Sequence, residues 1–161
     1  MTDDNEKTKR PLPMVGQVEL IEIIEERPQS PQIFKKVEAH LLRDPEDYGY
    51  HSAGYIVGFM QNSAQGGKSA ESNIYIGFPV LDCRADKLEK YSYPSDFLSG
   101  PSLGWFYIDQ DGQEHRVTTG EIALKVGLHF YSYDGTFSFT DRGKKTFKGS
   151  FKLKLSVPGS K

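Results

Sequence analysis

The stretch most like a catalytic signature is Asn62-Ser63-Ala64-Gln65-Gly66-Gly67-Lys68-Ser69, one residue after the apolar run GYIVGFM. A loop that cradles nucleotide phosphates needs Gly-x-x-x-x-Gly-Lys-Ser/Thr. The first glycine allows a tight wrap, and several backbone N–H groups then converge on the anion. Here that first position is Asn62, and the segment runs on into SAESNIYIGF, a strand pattern with no room for the helix that must face the phosphate. A hairpin loop is expected, not a phosphate site.

Four histidines, His40, His51, His115 and His129, are the next candidates, as metal ligands or general bases. None stands at helical i, i+4 spacing or beside a second ligand type in a recognised pattern. His129 falls on the polar phase of its segment and His115 adjoins Arg116, so ordinary surface positions are expected. A pairing of Cys83 with a histidine would make a nucleophile, but no diagnostic residues flank that cysteine, and a free cysteine is usually a small buried hydrophobe. Asp44, Glu46 and Asp47 lack the D-x-D-x-D spacing and the later bidentate glutamate of a calcium loop, which leaves a solvated turn. The reading is a protein that is not an enzyme, with no catalytic set, no metal site and no cofactor.

Charge and aromatic content carry more. Residues 142–161 hold Arg142, Lys144, Lys145, Lys148, Lys152, Lys154 and Lys161 and no acid, leaving 13 cations against 22 acids, a net of -9, in the rest. A basic end thus sits on an acidic body. Lys148, Lys152 and Lys154 share one phase of a strand, a stripe that suits phosphates, anionic lipid or an acidic protein surface. The plainer explanations are that strand lysines keep an edge from pairing with another chain, or that they pair across strands with Glu19, Glu22 and Glu25. Tyr48, Tyr50, Tyr55, Tyr91, Tyr93, Tyr131 and Tyr133, with Trp105, exceed what a core needs. Tyrosine buries area while keeping a polar tip, so it serves recognition as readily as it fills a half-buried strand.

The elements that must position these residues read as strands. EIALKVGLHFYSY has Ile122, Leu124, Val126, Leu128 and Phe130 at period two, which outweighs a capping-box pattern at Thr118 and Glu121. In TFKGSFKLKLSV, Phe147, Gly149, Phe151, Leu153, Leu155 and Val157 face one way and the lysines the other. Two Asp-Gly dipeptides predict hairpin turns, one at Asp134-Gly135 and one around Asp111-Gly112. The first would place Tyr131 and Tyr133 with Thr136 and Ser138 on a wet face, opposite Phe130, Phe137 and Phe139. GYIVGFM and NIYIGFPVL add two strands, and a short helix is expected over about Arg84 to Tyr91. QVELIEIIEER slips phase at Leu20-Ile21, which suits a bulged strand or a helix. IFKKVEAHLL suits either state too, and strands are preferred for both because the rest is β.

The chain therefore predicts one all-β domain over 14–158, an antiparallel sandwich or closed barrel with at most one or two short helices. A polar arm over 1–13 precedes it and a short tail over 159–161 follows. Neither a secretory leader nor a span-length apolar run is present, and one cysteine fits a reducing, cytoplasmic setting. The expected function is a binding module acting through Lys144, Lys145, Lys148, Lys152, Lys154, Tyr131 and Tyr133. A protein partner or self-association is favoured, with anionic lipid or nucleic acid also suited to the basic strand. The alternatives are a self-assembling structural subunit and an enzyme with a pocket inside a barrel.

Overall fold

Alternation with period two cannot be satisfied by an isolated strand, because its apolar face needs another sheet to cover it. The computed structural model describes residues 12–43, 52–61, 71–80, 87–97, 104–127 and 131–156, and nearly all of them lie in antiparallel strands. These are β1 (Leu12–Ile24), β2 (Arg27–Pro28), β3 (Gln32–Phe34), β4 (Lys36–Arg43), β5 (Ser52–Gln61), β6 (Glu71–Val80), β7 (Leu88–Tyr93), β8 (Phe106–Ile108), β9 (Glu114–Val126), β10 (Ser132–Asp141) and β11 (Thr146–Leu155). The pairing path runs β10-β11-β1-β4-β5-β6-β8-β9, and β9 returns to pair β10. The sheet thus curls into an up-and-down barrel closed by its first and last strands.

Two long strands make the corners of this barrel. β1 meets β4 only at Leu12 and Pro13, then leaves it to pair β3 and β2 along the same edge. β9 meets β8 over Glu114–Arg116 and then takes β7 over Gly120–Lys125. Changing partner along one edge splits the barrel into a front sheet (β7-β9-β10-β11-β1) and a back sheet (β4-β5-β6-β8), the way strands turn corners between packed sheets. Between them lie Val18, Leu20, Phe34, Ile56, Ile74, Phe78, Trp105, Ile122, Leu124, Phe139, Phe147 and Phe151, all at most 2 % exposed. The Trp105 Nε1–H donates to the Gly77 carbonyl at 2.9 Å, so the largest side chain is buried without an unmet donor.

Both uncertain N-terminal segments are strands. The phase slip at Leu20-Ile21 does not bulge β1, whose register against β11 holds without a shift from Met14↔Leu155 to Ile23↔Thr146. Ile21 and Ile23 are the half-buried outward members of a strand that also has Val18 and Leu20 inward. The helix expected near Arg84 to Tyr91 is corrected over its described part: Leu88–Tyr93 is an edge strand whose backbone pairs with β9. Residues 84–86 lie outside the described residues. The only helical turn among the described residues is a 3-10 turn at Ser95–Phe97.

The two Asp-Gly dipeptides part ways. Gly112 has φ +81° and the loop closes with Gly112 N–H donating to the Asp109 carbonyl at 3.0 Å, a turn as predicted. Asp134-Gly135 is no turn, because β10 runs straight through it, with Gly135 opposite Phe151 on one side and Leu124 on the other. Gly135 is there for clearance. A Cβ on it would lie 2.8 Å from the Phe151 Cζ and 2.1 Å from the Ala123 carbonyl oxygen. Reciprocally, a Cβ on Gly149 would lie 2.2 Å from the Phe137 Cζ, and Gly149 is the register partner of Phe137. Phe137 and Phe151 thus each lay a ring across a glycine of the neighbouring strand. This packs Phe137 against Phe139 and Phe151 at centroid distances of 6.2 and 6.3 Å.

Gly149→Ala is therefore expected to destabilise the fold by about 1–3 kcal/mol, as overpacking does. Chemical denaturation of the variant measures it. Phe137→Leu should cost less in the Gly149→Ala background than in the native chain, since the shorter side chain gives back some of the room. A Gly149→Ala variant as stable as the native protein would contradict the reciprocal packing.

Candidate functional site

Register turns the outward side chains of the front sheet into rows that cross the strands. One row runs Leu88, Lys125, Asp134, Lys152, Gln17, from β7 to β1. The next runs Lys90, Ala123, Thr136, Ser150, Glu19, and the third Ser92, Glu121, Ser138, Lys148, Ile21. Lys154 lies between Ser132 and Val15 one row further out. The middle row has short side chains, Ala123, Thr136 and Ser150, between Lys90 and Glu19 at its ends. A trough of about 680 Å³ follows from this, bordered by Lys90, Glu121, Thr136, Ser138 and Lys148. A second, of about 650 Å³, surrounds Lys152 and Lys154 with Val15, Gln17, Asp134 and Lys35, its walls formed largely by apolar surface.

This arrangement gathers part of the expected site. Lys148, Lys152 and Lys154 are exposed on one face, as their alternation requires. Register adds Lys90 and Lys125, and the loop before β4 adds Lys35, three cations that sequence spacing alone did not connect to the stripe. None of Lys90, Lys125, Lys148, Lys152 and Lys154 has a carboxylate within 4.0 Å among the described residues. The expected pairing with acids of β1 is therefore not made. Glu19 stands opposite Ser150, Glu22 opposite Phe147 on the inward phase, and Glu25 in the β1–β2 turn. Shielding of a free edge also fails as an explanation of the stripe, because β11 is hydrogen-bonded to β10 on one side and to β1 on the other.

Other parts of the expected site are dispersed. Lys144 and Lys145 sit in the β10–β11 turn, at the far end of the hairpin from Lys152 and Lys154; Lys145 donates its backbone N–H to the Asp141 Oδ1 at 2.8 Å. Tyr131, just before β10, is 57 % exposed. Tyr133 is a correction: with no turn at Gly135 it shares the inward phase with Phe137 and Phe139, and it is 0 % exposed against Phe78. Trp105 is a core residue as well. His51, His129, Cys83, Lys161, Tyr48, Tyr50, the acidic group 44–47 and the loop 62–69 lie outside the described residues.

His115 is the second correction. It is 5 % exposed, not a surface residue, and both ring nitrogens are engaged: Nδ1 lies 2.8 Å from the Asp141 Oδ2 and Nε2 2.8 Å from the Asp109 Oδ2. Its ring stacks on Tyr107 at 5.3 Å and meets Phe147 edge-on at 5.6 Å. The outer oxygens of the two carboxylates are also used. Asp109 Oδ1 accepts the backbone N–H groups of Asp111 and Gln113, and Asp141 Oδ1 accepts that of Lys145. The imidazole therefore clamps the β8–β9 loop to the β10–β11 turn, with no nitrogen left for a substrate or a metal. Burial pushes the Asp109 carboxyl upward, but the His115 hydrogen bond and the two backbone N–H groups outweigh it and hold the carboxyl below the usual range. Burial, helped by the nearby Asp109 charge, pushes the Tyr107 hydroxyl up to about 12.

The back sheet has a different outer surface. Its rows run Lys36, Phe59, Asn73, Ile108, Glu114 and then Glu38, Val57, Tyr75, Phe106, Arg116, with Tyr55 beside Gly77 in a third. Tyr75 and Phe106 stack at 4.4 Å and Tyr55 meets Tyr75 edge-on at 6.4 Å. Of this group, sequence reading singled out only Tyr55. No protein-family model, curated protein or solved structure matches the chain.

Asp109 sets a pH dependence. Its folded carboxyl titrates below the unfolded value of about 3.9, so the stability it contributes is complete above that value and is lost as pH falls through the depressed one. The gap in melting temperature between the native protein and Asp109→Asn should be constant from pH 7 to about 5 and close below about pH 4. A gap unchanged down to pH 2.5 would contradict the His115–Asp109 contact.

Proposed function

We propose that the protein is a non-enzymatic, intracellular binding module whose front-sheet outer face receives an acidic segment of a protein partner. The observation that carries this reading is the stripe Lys148, Lys152 and Lys154 on a strand paired along both edges, where shielding an edge does not account for it. Ammonium groups with no ion-pair partner among the described residues stand on either side of a floor of Ala123, Thr136 and Ser150, so an extended chain lying across the strands can place carboxylates against lysines on both flanks. Charge arrangement favours a peptide over a phosphate polymer. Glu19, Glu121 and Asp134 are interleaved with the lysines, which would repel a uniformly charged backbone but suits acids spaced along a polypeptide. The exposed Tyr131 adds an aromatic contact at the end of the hairpin. An intracellular setting accords with the single cysteine.

The test compares a tagged Asp/Glu-rich peptide, a single-stranded oligonucleotide and anionic-lipid vesicles, each titrated with the native protein and with Lys148→Glu/Lys152→Glu/Lys154→Glu. Peptide binding is expected at low salt, weakening with ionic strength and falling about 10- to 100-fold in the triple variant, as three exposed charge contacts imply. Preference for the oligonucleotide or the vesicles would replace the partner class. Equal binding of all three probes by the native and the reversed protein would sink the reading.

A further inference from the structure

An antiparallel sheet with one face on the core ordinarily turns polar residues outward. The back sheet does not. Val57 is 0 % exposed at an outward position, and Tyr55, Phe59, Tyr75, Phe106 and Ile108 around it are half-buried. Burial raises the hydroxyls of Tyr55 and Tyr75, with Glu38 and then Glu71 adding to the effect at Tyr75, so both rings stay neutral. An apolar centre of this kind, ringed by charge, is the anatomy of a protein interface.

The ring of charge identifies the partner. Lys36 and Glu38 lie at one side of the face, on β4, and Glu114 and Arg116 at the other, on β9. The row through Asn73 ends in Lys36 and Glu114; the row through Tyr75 ends in Glu38 and Arg116. The four corners therefore alternate in sign and sum to zero, with the exposed Glu71 of β6 adding one negative charge beside them. A face of alternating charges with a slight negative excess is poorly suited to an anionic polymer, and the lysine face already has that character. It is suited to itself. Turning a second copy over about a two-fold axis along β6 brings Lys36 against the partner's Glu114 and Glu38 against the partner's Arg116, with Asn73 and Tyr75 meeting their own copies, but it also sets the exposed Glu71 of β6 against its own copy. An axis lying across the strands also matches every corner with its opposite, Lys36 then facing the partner's Glu38.

We propose that the outer face of the back sheet is an isologous homodimer interface, with aromatic and aliphatic contacts at its centre and four alternating charges that meet their opposites about an axis lying across the strands. Three of the corners are loosely held: Arg116 Nε is 3.5 Å from Glu114 Oε1 with both side chains about half exposed or more, and Lys36 Nζ lies 5.8 Å from the Phe59 ring, whereas Glu38 Oε1 is held by His40 Nε2 at 3.0 Å and has its second oxygen for a partner. Five strands and three rows span roughly 20 by 15 Å, below the standard interface size, so a weak and concentration-dependent dimer is expected. Sheets packed face to face cross at about 30°, which displaces groups about 10 Å from the axis by about 5 Å, within reach of Lys, Arg and Glu.

The experiment is sedimentation equilibrium of the full chain from about 1 µM to 1 mM, a range that covers weak association. The native protein should dimerise. Lys36→Glu/Arg116→Glu, which leaves all four corners acidic, should weaken the dimer more than about a hundredfold through like-charge contacts. Inverting every corner (Lys36→Glu/Glu38→Lys/Glu114→Lys/Arg116→Glu) restores alternation, so this variant should dimerise with itself but not with the native chain. Reversal of Lys148, Lys152 and Lys154 should leave the dimer intact, which separates this surface from the front one. A monomer throughout, an all-acidic variant that dimerises as well as the native chain, or free mixing of inverted and native chains would each overturn the proposal.

Discussion

Pairing of the first strand with the last is the interaction on which the rest of this protein depends. Ten consecutive register pairs join β1 to β11, from Met14↔Leu155 to Ile23↔Thr146, and they close the sheet on itself. Without them β11 would be an edge strand, its lysines a familiar guard against edge-to-edge pairing. With them β11 becomes an interior strand with one face committed to the core and the other to solvent. Its alternation of Phe147, Phe151 and Leu153 with Lys148, Lys152 and Lys154 then has a different meaning. The apolar set closes the barrel, and the lysines become the centre of a face that extends over five strands. Closure also has an energetic cost, since joining chain ends separated by most of the sequence loses loop entropy that only burial of the common core recovers.

Period two was readable wherever both faces of a strand had distinct environments. β11 was legible residue by residue for that reason, as was β9 from Glu121 to Val126, although the same reading ran that strand on to Tyr133, which belongs to β10; the β8–β9 turn was legible because Gly112 needs its positive φ. The failures share a cause. A glycine in a sequence reports either freedom of φ or absence of a Cβ, and the two cannot be told apart locally. Gly135 belongs to the second kind, because Phe151 of another strand lies over it, and nothing near residue 135 announces a ring that is sixteen positions away. Misreading that glycine reversed the phase of Tyr133 and moved a core residue to the surface. His115 failed in the same manner: its neighbours in sequence are Glu114 and Arg116, whereas its partners in space are Asp109 and Asp141, brought in by two separate turns. The candidate face was legible only along β11. Lys90 and Lys125 join it through registers that no local pattern contains.

The clamp around His115 gives the lysine-bearing hairpin its rigidity at one end. Asp141 both ends β10 and accepts from His115 and from the Lys145 backbone, so the β10–β11 turn is held against the β8–β9 loop and not free to swing. At the other end the Leu155 N–H donates to the Tyr131 carbonyl at 2.7 Å. Between these fixed points the crossed glycine–phenylalanine packing lets β10 and β11 lie flat, with no bulge to tilt one lysine away from the next. Rows of charge at a constant spacing are the result. A face built this way would lose little backbone freedom on meeting a partner, so the cost of ordering would fall on the lysine side chains alone.

The two outer faces point in opposite directions because the core lies between the sheets that carry them, and this has a consequence for how they would act together. A dimer formed through the back sheets would turn its two lysine faces outward on opposite sides. One short acidic segment could not touch both. A long flexible partner, or two partners, could, and the second contact would then benefit from the effective concentration set by the first. Head-to-tail association of the basic face on an acidic body would instead consume the lysines and propagate, since a heterologous contact does not close unless its rotation does. The alternating corners of the back sheet favour the closed arrangement. Self-complementarity of that face would leave the front face, with its net positive charge, to other molecules.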